Sequence, residues 1–392
     1  MRRVLVTGLG VVSPFGAGVK AYWAGLAAGT CAIRPLTIID ATGFRCRIAA
    51  EVVEMAAGSP RRSRADRLAL GAATEALDDA GLGRADRAAA ALVVGAVGGG
   101  MLEAESWYWA RARGEQLPSW AASLRAMLPA AHAEVLAHRL GLGGPRHTVV
   151  TACSSGAVAL AECAELIADG VVDVALAGGV DAVTRMCFMG FNALKLLDPD
   201  PCRPFDRDRR GMSIGEGAAF VVLEEAERAR ARGARAYAEL AGHAMTTDAY
   251  HVTAPQPEGE GMARAMTAAL AAGGIGPRDV GYANAHGTGT AQNDRIEARA
   301  LARVFGAGGL LVSSTKSMIG HTMAAAGSLE AVATILGLVQ ETIPPTAGLT
   351  TPDPEIEFDC VPRVARELAV EHAISNSFGF GGQNITVLFR RV

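Results

Sequence analysis

One short pattern occurs twice in this chain and limits the folds open to it. The run Thr148-Val-Val-Thr-Ala-Cys153 leads from a buried strand into the small-residue helix Ser154-Ser-Gly-Ala-Val-Ala-Leu160. Farther on, Leu311-Val-Ser-Ser-Thr-Lys316 leads from another strand, through His321, into Ala324-Ala-Ala-Gly-Ser-Leu-Glu330. Each is a strand, a reactive turn and a helix of small residues. This echo suggests a duplicated unit, with halves of about 1–235 and 236–392. The charged helix Glu224–Arg232 ends at Gly233, which suits a boundary there. No linker is long or low enough in complexity to separate independent domains.

Around the two repeats, strand-like and helix-like segments alternate, which is the signature of an α/β fold. Buried strands are expected at Val4–Leu9, Ala91–Val97, Thr148–Thr151, Val172–Leu176, Gly217–Leu223, Gly281–Ala285 and Leu310–Ser313. Helices are expected at Asp66–Ala80, Ser154–Ala168 and Gly259–Ala272. Ala373–Ser377 and Asn384–Phe389 read as a terminal hairpin. Half of the 392 residues are hydrophobic but only 5% are aromatic, and 47 are glycine. The core must therefore be built from Ala, Val, Leu and Ile in closely packed helices and sheets.

Several classes are disfavoured. A net charge of −3 is the opposite of a nucleic-acid footprint. The seven cysteines are odd in number, widely spaced and without a C-x-x-C pair, so neither a disulfide framework nor a cysteine-rich zinc site is expected, and a reducing cytoplasm fits. Met1-Arg2-Arg3 before an apolar run superficially resembles an export signal, but Gly8, Gly10, Pro14 and Gly16 break it, and a first buried strand is the simpler reading. The apolar stretch near 317–340 has Lys316, His321 and Glu330 in or beside it, so it reads as a buried helix and not a membrane span.

Cys153 stands where a strand meets a helix. Free N–H groups and the positive end of the helix dipole there are expected to lower the thiol pKa. An isolated cysteine is more often plain packing, the reading given to the other six. Asn284-Ala-His286-Gly-Thr288-Gly-Thr290 and Ser313-Ser-Thr-Lys316-Ser-Met-Ile-Gly-His321 put two histidines at the ends of two further strands. A lone histidine is usually structural. Two of them with a cysteine at strand carboxyl ends, where α/β sheets gather ligands, are harder to dismiss. Their separation gives no local metal chelate, so no metal is assigned. Asn376-Ser-Phe378-Gly379-Phe380-Gly381-Gly382 is a plain glycine hairpin or a loop that aims an N–H at an oxyanion. It opens into a strand and is not a dinucleotide loop.

With these residues in view, the chain resembles the condensing enzymes of the thiolase superfamily, namely elongating β-ketoacyl-acyl carrier protein synthases and type II polyketide ketosynthases. The resemblance runs from Val4-Leu-Val-Thr-Gly-Leu-Gly-Val-Val-Ser13 through Thr151-Ala-Cys-Ser-Ser-Gly156, Arg203-Pro-Phe-Asp-Arg-Asp-Arg-Arg-Gly211, Gly215-Glu-Gly-Ala-Ala219 and the Lys316–His321 segment to the terminal Phe-Gly-Phe-Gly-Gly loop. It implies a thiolase-like five-layer αβαβα body of two similar halves and a decarboxylative Claisen condensation. It also implies roles. Cys153 is the acylated nucleophile. His286 and His321 bind the malonyl thioester carbonyl and assist decarboxylation, and Lys316 orients and polarises His321. The N–H groups of Cys153 and Phe380 form the oxyanion hole, with the Phe380 ring as gate. Thr288 and Thr290, with Phe378, Gly379 and Gly381, contact the phosphopantetheine arm, and Glu297 is the supporting buried acid. No cofactor is implied beyond that carrier arm. The partners are an acyl carrier protein and a second subunit, in a homodimer or a heterodimer with a chain-length-factor-like protein.

The chain is shorter than the fatty-acid enzymes around 100–125, where it carries Trp107, Tyr108, Trp109 and Trp120. These are assigned to the pocket floor and a dimer contact, and they tilt the reading to a specialised polyketide or polyene pathway. A degradative thiolase would need a second cysteine within 376–384, which has none. Starter-type synthases with a Cys-His-Asn set are disfavoured by Lys316 and His321. A non-catalytic chain-length factor would lack the nucleophile that Cys153 supplies. Arg61, Arg62, Arg64 and Arg67 form a basic cluster that either docks the acidic carrier or is a solvated helix face.

Overall fold

The computed structural model describes residues 2–53, 62–116, 124–306 and 308–392. Ten strands carry the architecture. The first five are β1 (Val4–Ser13), β2 (Ala91–Ala96), β3 (Arg146–Val149), β4 (Val174–Asp181) and β5 (Gly217–Glu225). The second five are β6 (Ala238–Thr247), β7 (Val280–Asn284), β8 (Leu311–Ser313), β9 (His372–Gly379) and β10 (Gln383–Arg390). The first set runs β3-β2-β4-β5-β1 across its sheet and the second runs β8-β7-β9-β10-β6. In each set the first three strands are parallel and the last two join antiparallel. The two sets therefore match strand for strand, and they meet where Leu5 and Val6 of β1 pair with Glu239 and Ala238 of β6. The chain crosses from one to the other between Ala231 and Ala238.

The segments expected from the sequence are all present, with shifted ends. The first strand runs past Leu9 to Ser13, and β5 runs on to Glu225, which shortens the charged helix after it to Ala226–Ala231. Gly8 and Gly10 do not end β1. They let helix α1 (Arg64–Asp79) lie directly on it, since a Cβ at Gly10 would sit 1.9 Å from the Ala72 carbonyl oxygen.

Burial separates the layers. Helix α1 buries one face, through Ala65, Leu68, Ala69, Ala72, Ala73, Ala76 and Leu77, as an outer helix should. On the opposite outside lie α4 (Glu260–Ala272) and α5 (Ala291–Phe305), packed on the second sheet. Between the sheets lie α2 (Ser155–Ala168) and α7 (Ala326–Gln340), in one cluster with residues of both sheets, while the short helices α3 (Arg185–Ala193) and α6 (Lys316–Ile319) follow β4 and β8. Helix α7 is buried on every side from Ala326 to Leu338, and Met323–Gln340 is long and apolar enough to cross a membrane, yet it is 89% buried inside the protein. This is a five-layer αβαβα body of the thiolase type.

Small residues are required where the two central helices begin. Each is preceded by a tight turn, Ala152–Ser154 before α2 and Met323–Ala325 before α7. The first residue of each turn is left-handed, with φ of 51° at Ala152 and 53° at Met323. A Cβ on Gly156 would lie 2.7 Å from the Ala324 oxygen and 2.9 Å from the Ser328 nitrogen. A Cβ on Gly327 would lie 2.7 Å from the Ala157 nitrogen. The contact is reciprocal, so the repeated glycine follows from packing the two helices on each other. Gly327→Ala should lower unfolding free energy by about 1–3 kcal/mol through overpacking against backbone, read from urea denaturation. A variant as stable as its parent would show that the helices do not approach in this way.

Candidate active site

The site forms where the carboxyl ends of strands from both sheets converge. Strand β3 leads to Cys153, β7 to His286, β8 to Lys316 and His321, and β9 to Phe378, Gly379 and Phe380. Cys153, His286, His321, Thr288, Thr290, Phe378, Gly379 and Phe380 all line one cavity of about 130 Å³. The rest of its wall includes Phe191, Leu196, Met212, Met262, Asp248, Thr253 and Asn384.

Cys153 sits in the turn just before α2, at the positive end of the helix. Gly379 packs on that turn: a Cβ there would be 3.3 Å from the Cys153 nitrogen. Burial pushes the thiol up to about 11, while the Lys316 charge and the Phe380 N–H at the sulfur pull it down. This corrects the expectation of a lowered thiol pKa. The helix end and the Phe380 N–H favour the thiolate, but removal from water dominates and the resting group is the protonated thiol.

The two imidazoles face each other edge to face, with ring centroids 5.3 Å apart at 85°. Both are buried, and both pKa values are held well below the usual histidine value, chiefly by burial and then by the nearby Lys316 charge. Both rings are therefore neutral. The Met323 N–H donates to His321 Nδ1 at 3.2 Å, which leaves the ring proton on Nε2. Lys316 Nζ donates to His286 Nδ1 at 3.3 Å, which fixes the same tautomer there. His321 Nε2 has no protein partner among the described residues. Each ring thus holds an N–H donor on the side away from its anchored nitrogen.

The contact of Lys316 with His286 corrects a second expectation. The family resemblance pairs the lysine with His321, but its turn carries it behind His286. There it is 1% exposed and ion-paired with Glu330. Burial pushes Glu330 up to about 7 and the ammonium opposes it. Glu330 is a partner the sequence reading did not assign. It lies on α7 at a spacing from Lys316 that no single-helix rule detects, because a turn and a loop intervene.

Glu297, on α5, does support the site, through the backbone. Its oxygens accept the N–H groups of His286 at 2.8 Å and Gly287 at 2.7 Å. Burial pushes its carboxyl up to about 7, against those hydrogen bonds. Thr288 and Thr290 join their hydroxyls at 2.9 Å on the cavity wall, and Thr290 also caps α5 at Asn293. Gly381 is not brought to the cavity: its N–H bonds the Val252 carbonyl at 2.8 Å.

Two surface expectations also change. Trp107, Tyr108 and Trp109 lie on the helix Met101–Ala112 and line no part of the cavity described; Tyr108 and Trp109 point outward instead. Trp120 and Arg61 fall outside the described residues. Arg64 is no docking charge, since it donates to Glu216 and to the Val52 carbonyl, and Arg67 is partly buried with Nε unpartnered.

Comparison with known proteins agrees with this geometry. The beta-ketoacyl synthase N-terminal domain family matches residues 1–229 and the C-terminal domain family matches residues 237–350. The chain is 39% identical to 3-oxoacyl-[acyl-carrier-protein] synthase 2 of Synechocystis, over 100% of this chain and 98% of that one. It is 42% identical to a putative polyketide beta-ketoacyl synthase 1 of Streptomyces cyaneus, over 99% of this chain and 97% of the other. Among solved structures, the ishigamide ketosynthase/chain length factor superposes with a TM-score of 0.95 at 37% identity, covering 100% of this chain and 99% of the other. A cysteine and two histidines converging on one cavity with a buried lysine behind them, on a scaffold shared end to end with these proteins, mean that the chain belongs to the beta-ketoacyl synthase family of acyl-carrier-protein-dependent condensing enzymes.

Proposed function

We propose that this ketosynthase carries its growing acyl chain on Cys153 and extends it with malonyl-acyl carrier protein in a specialised polyketide or polyene pathway. The observation that carries the chemistry is the pair of neutral imidazoles, each with Nε2–H as its free donor, in one cavity with the Cys153 sulfur. In the first half-reaction Cys153 attacks the acyl thioester, and the thiol proton leaves with the carrier's sulfur. The N–H groups of Cys153 and Phe380 hold the tetrahedral oxyanion. In the second, the malonyl carboxyl bond breaks and carbon dioxide leaves. The electron pair passes to an enolate whose oxygen is held by the two Nε2–H donors. The enolate carbon then attacks the acyl-cysteine, and sulfur leaves as thiolate and takes up a proton.

Neutral donors suit this task. Two imidazolium rings would hold the malonyl carboxylate as an ion pair and oppose its loss. No cofactor is needed beyond the phosphopantetheine arm, for which Thr288, Thr290, Phe378 and Gly379 provide the wall. The polyketide relative and the ketosynthase/chain length factor structure support the pathway assignment. A second subunit of the same fold has a suitable face. Glu105, on the helix of Tyr108 and Trp109, bonds the N–H groups of Arg185 and Met186, so two helices that expose Tyr108, Trp109, Met186 and Met189 adjoin. The seven cysteines are free thiols, in keeping with a reducing cytoplasm.

Intact-mass analysis with acyl carriers, with and without a chain-length-factor subunit, tests this reading. Cys153→Ala should form no acyl-enzyme yet still decarboxylate malonyl carrier; an acylated variant would remove the nucleophile assignment. His321→Ala should still form acyl-enzyme but lose condensation by roughly 10²–10³-fold, the effect of one positioned donor. Equal loss of both half-reactions would refute the division of labour. With the thiol at about 11, the rate of Cys153 alkylation by iodoacetamide should rise about tenfold per pH unit from 7 to 9. A plateau below pH 8 would mean that the helix end outweighs burial.

A further inference from the structure

The matching halves place a second residue where Cys153 stands. Cys153 is the middle residue of the turn Ala152–Ser154, and Ala324 is the middle residue of Met323–Ala325. Both follow a left-handed residue and both precede a central helix. Such a residue directs its N–H outward from the helix start, in want of an acceptor. At Cys153 the neighbouring strand end is Gly379, which has no side chain to offer one. At Ala324 the neighbouring strand end is Asp181, the last residue of β4.

Asp181 is 1% exposed and its carboxylate is fully engaged. Oδ2 accepts the Ala324 N–H at 2.9 Å and Oδ1 accepts the Gly98 N–H at 2.7 Å. The Ala324 carbonyl packs closely on two glycines from the other side. Cβ atoms on Gly156 or Gly179 would lie only 2.7 and 2.6 Å from it. Ala324 is thus bonded at its N–H and closely packed at its carbonyl by the first half of the chain. Adjoining it is Met323, whose strained φ requires support and whose N–H is the donor to His321 Nδ1. The His321 backbone is fixed independently, by its N–H to the Ser213 carbonyl and its carbonyl to the Gly215 N–H. The ring's tautomer alone depends on the turn.

We infer that Asp181 is a positioning residue for His321. By occupying the Ala324 N–H it holds the strained turn that keeps Met323 N–H on Nδ1, and so keeps the His321 proton on Nε2 for the decarboxylation half-reaction. The same carboxylate explains how two similar turns serve different ends. One presents its N–H to substrate, and the other has its N–H taken up within the fold. The inference rests on the ketosynthase reading above, but its direct readout does not need activity.

The test compares Asp181→Asn with the parent. The amide keeps the shape but accepts at one oxygen only. In the parent, ring 15N shifts of His321 should report an unprotonated Nδ1. In the variant they should shift toward a mixture of tautomers. Malonyl-carrier decarboxylation should fall by roughly 10²-fold, the size expected for a misplaced catalytic group. Cys153 acylation by an acyl carrier should change less than about threefold. Asp66→Asn is the control, because Asp66 is another buried acid of this half, bonded to His132 at 2.7 Å and not to the turn. It should lose stability without changing the His321 ring signals. If Asp181→Asn does not fold, Asp181→Glu, which displaces the carboxylate by one methylene, should show the same split between half-reactions. Unchanged His321 signals in the folded variant, or parallel loss of both half-reactions in proportion to the fall in Tm, would overturn the inference. A parent that neither acylates nor decarboxylates would instead count against the ketosynthase reading.

Discussion

The architecture depends on how closely two helix starts approach in the middle of the molecule. Gly156 and Gly327 let α2 and α7 meet backbone to backbone, with each glycine lying against the residue after the other. A single methyl group at either position would separate them. The approach stacks the two sheets over a common layer and brings the strand ends of both halves to one cavity. Cys153 and His321 belong to different halves, and this contact sets their relation.

Around that contact the electrostatics are arranged by burial. A cysteine, two histidines, a lysine and two glutamates are enclosed together, and water is withdrawn from all of them. The result is two neutral imidazoles backed by one paired ammonium, so donors are present without a net positive field at the enolate. Lys316 acts from behind His286, and Glu330 anchors it there. The site draws its histidines, lysine and glutamates from the second half of the chain and its cysteine from the first.

Much of this was legible in the sequence. Strand and helix placements followed from apolar runs and small-residue patterns, and the echo between 148–160 and 311–330 corresponds to the two central helices and their turns. Cys153, His286, Lys316 and His321 stood out as candidates because each follows a strand in a turn of distinctive local composition, and Phe378 and Phe380 because they stand in a glycine-rich hairpin. The partners behind them were not. Glu330 and Asp181 sit among apolar residues in α7 and β4, and only the stacking of layers brings them to Lys316 and Ala324. The ring that Lys316 bonds was not legible, because the resemblance carries residue roles over but not the direction in which the turn at 314–316 points the side chain. The thiol was misjudged because the helix end can be read from local sequence, whereas burial depends on the whole fold. Arg64 drops out of the expected surface patch for a similar reason, since the acid that claims it lies at Glu216.

Helix α7 carries a further consequence for how this protein is made. It is buried on all sides, yet the strands that cover it from one side, β9 and β10, follow it along the chain and are synthesised after it. Until Phe389 takes its place, one flank of that helix has no cover. The nascent chain therefore exposes a hydrophobic rod with the length of a membrane span until those strands are made, and a chain that stops before β10 leaves that flank bare. Such a molecule should depend on chaperones until β10 has closed over that flank.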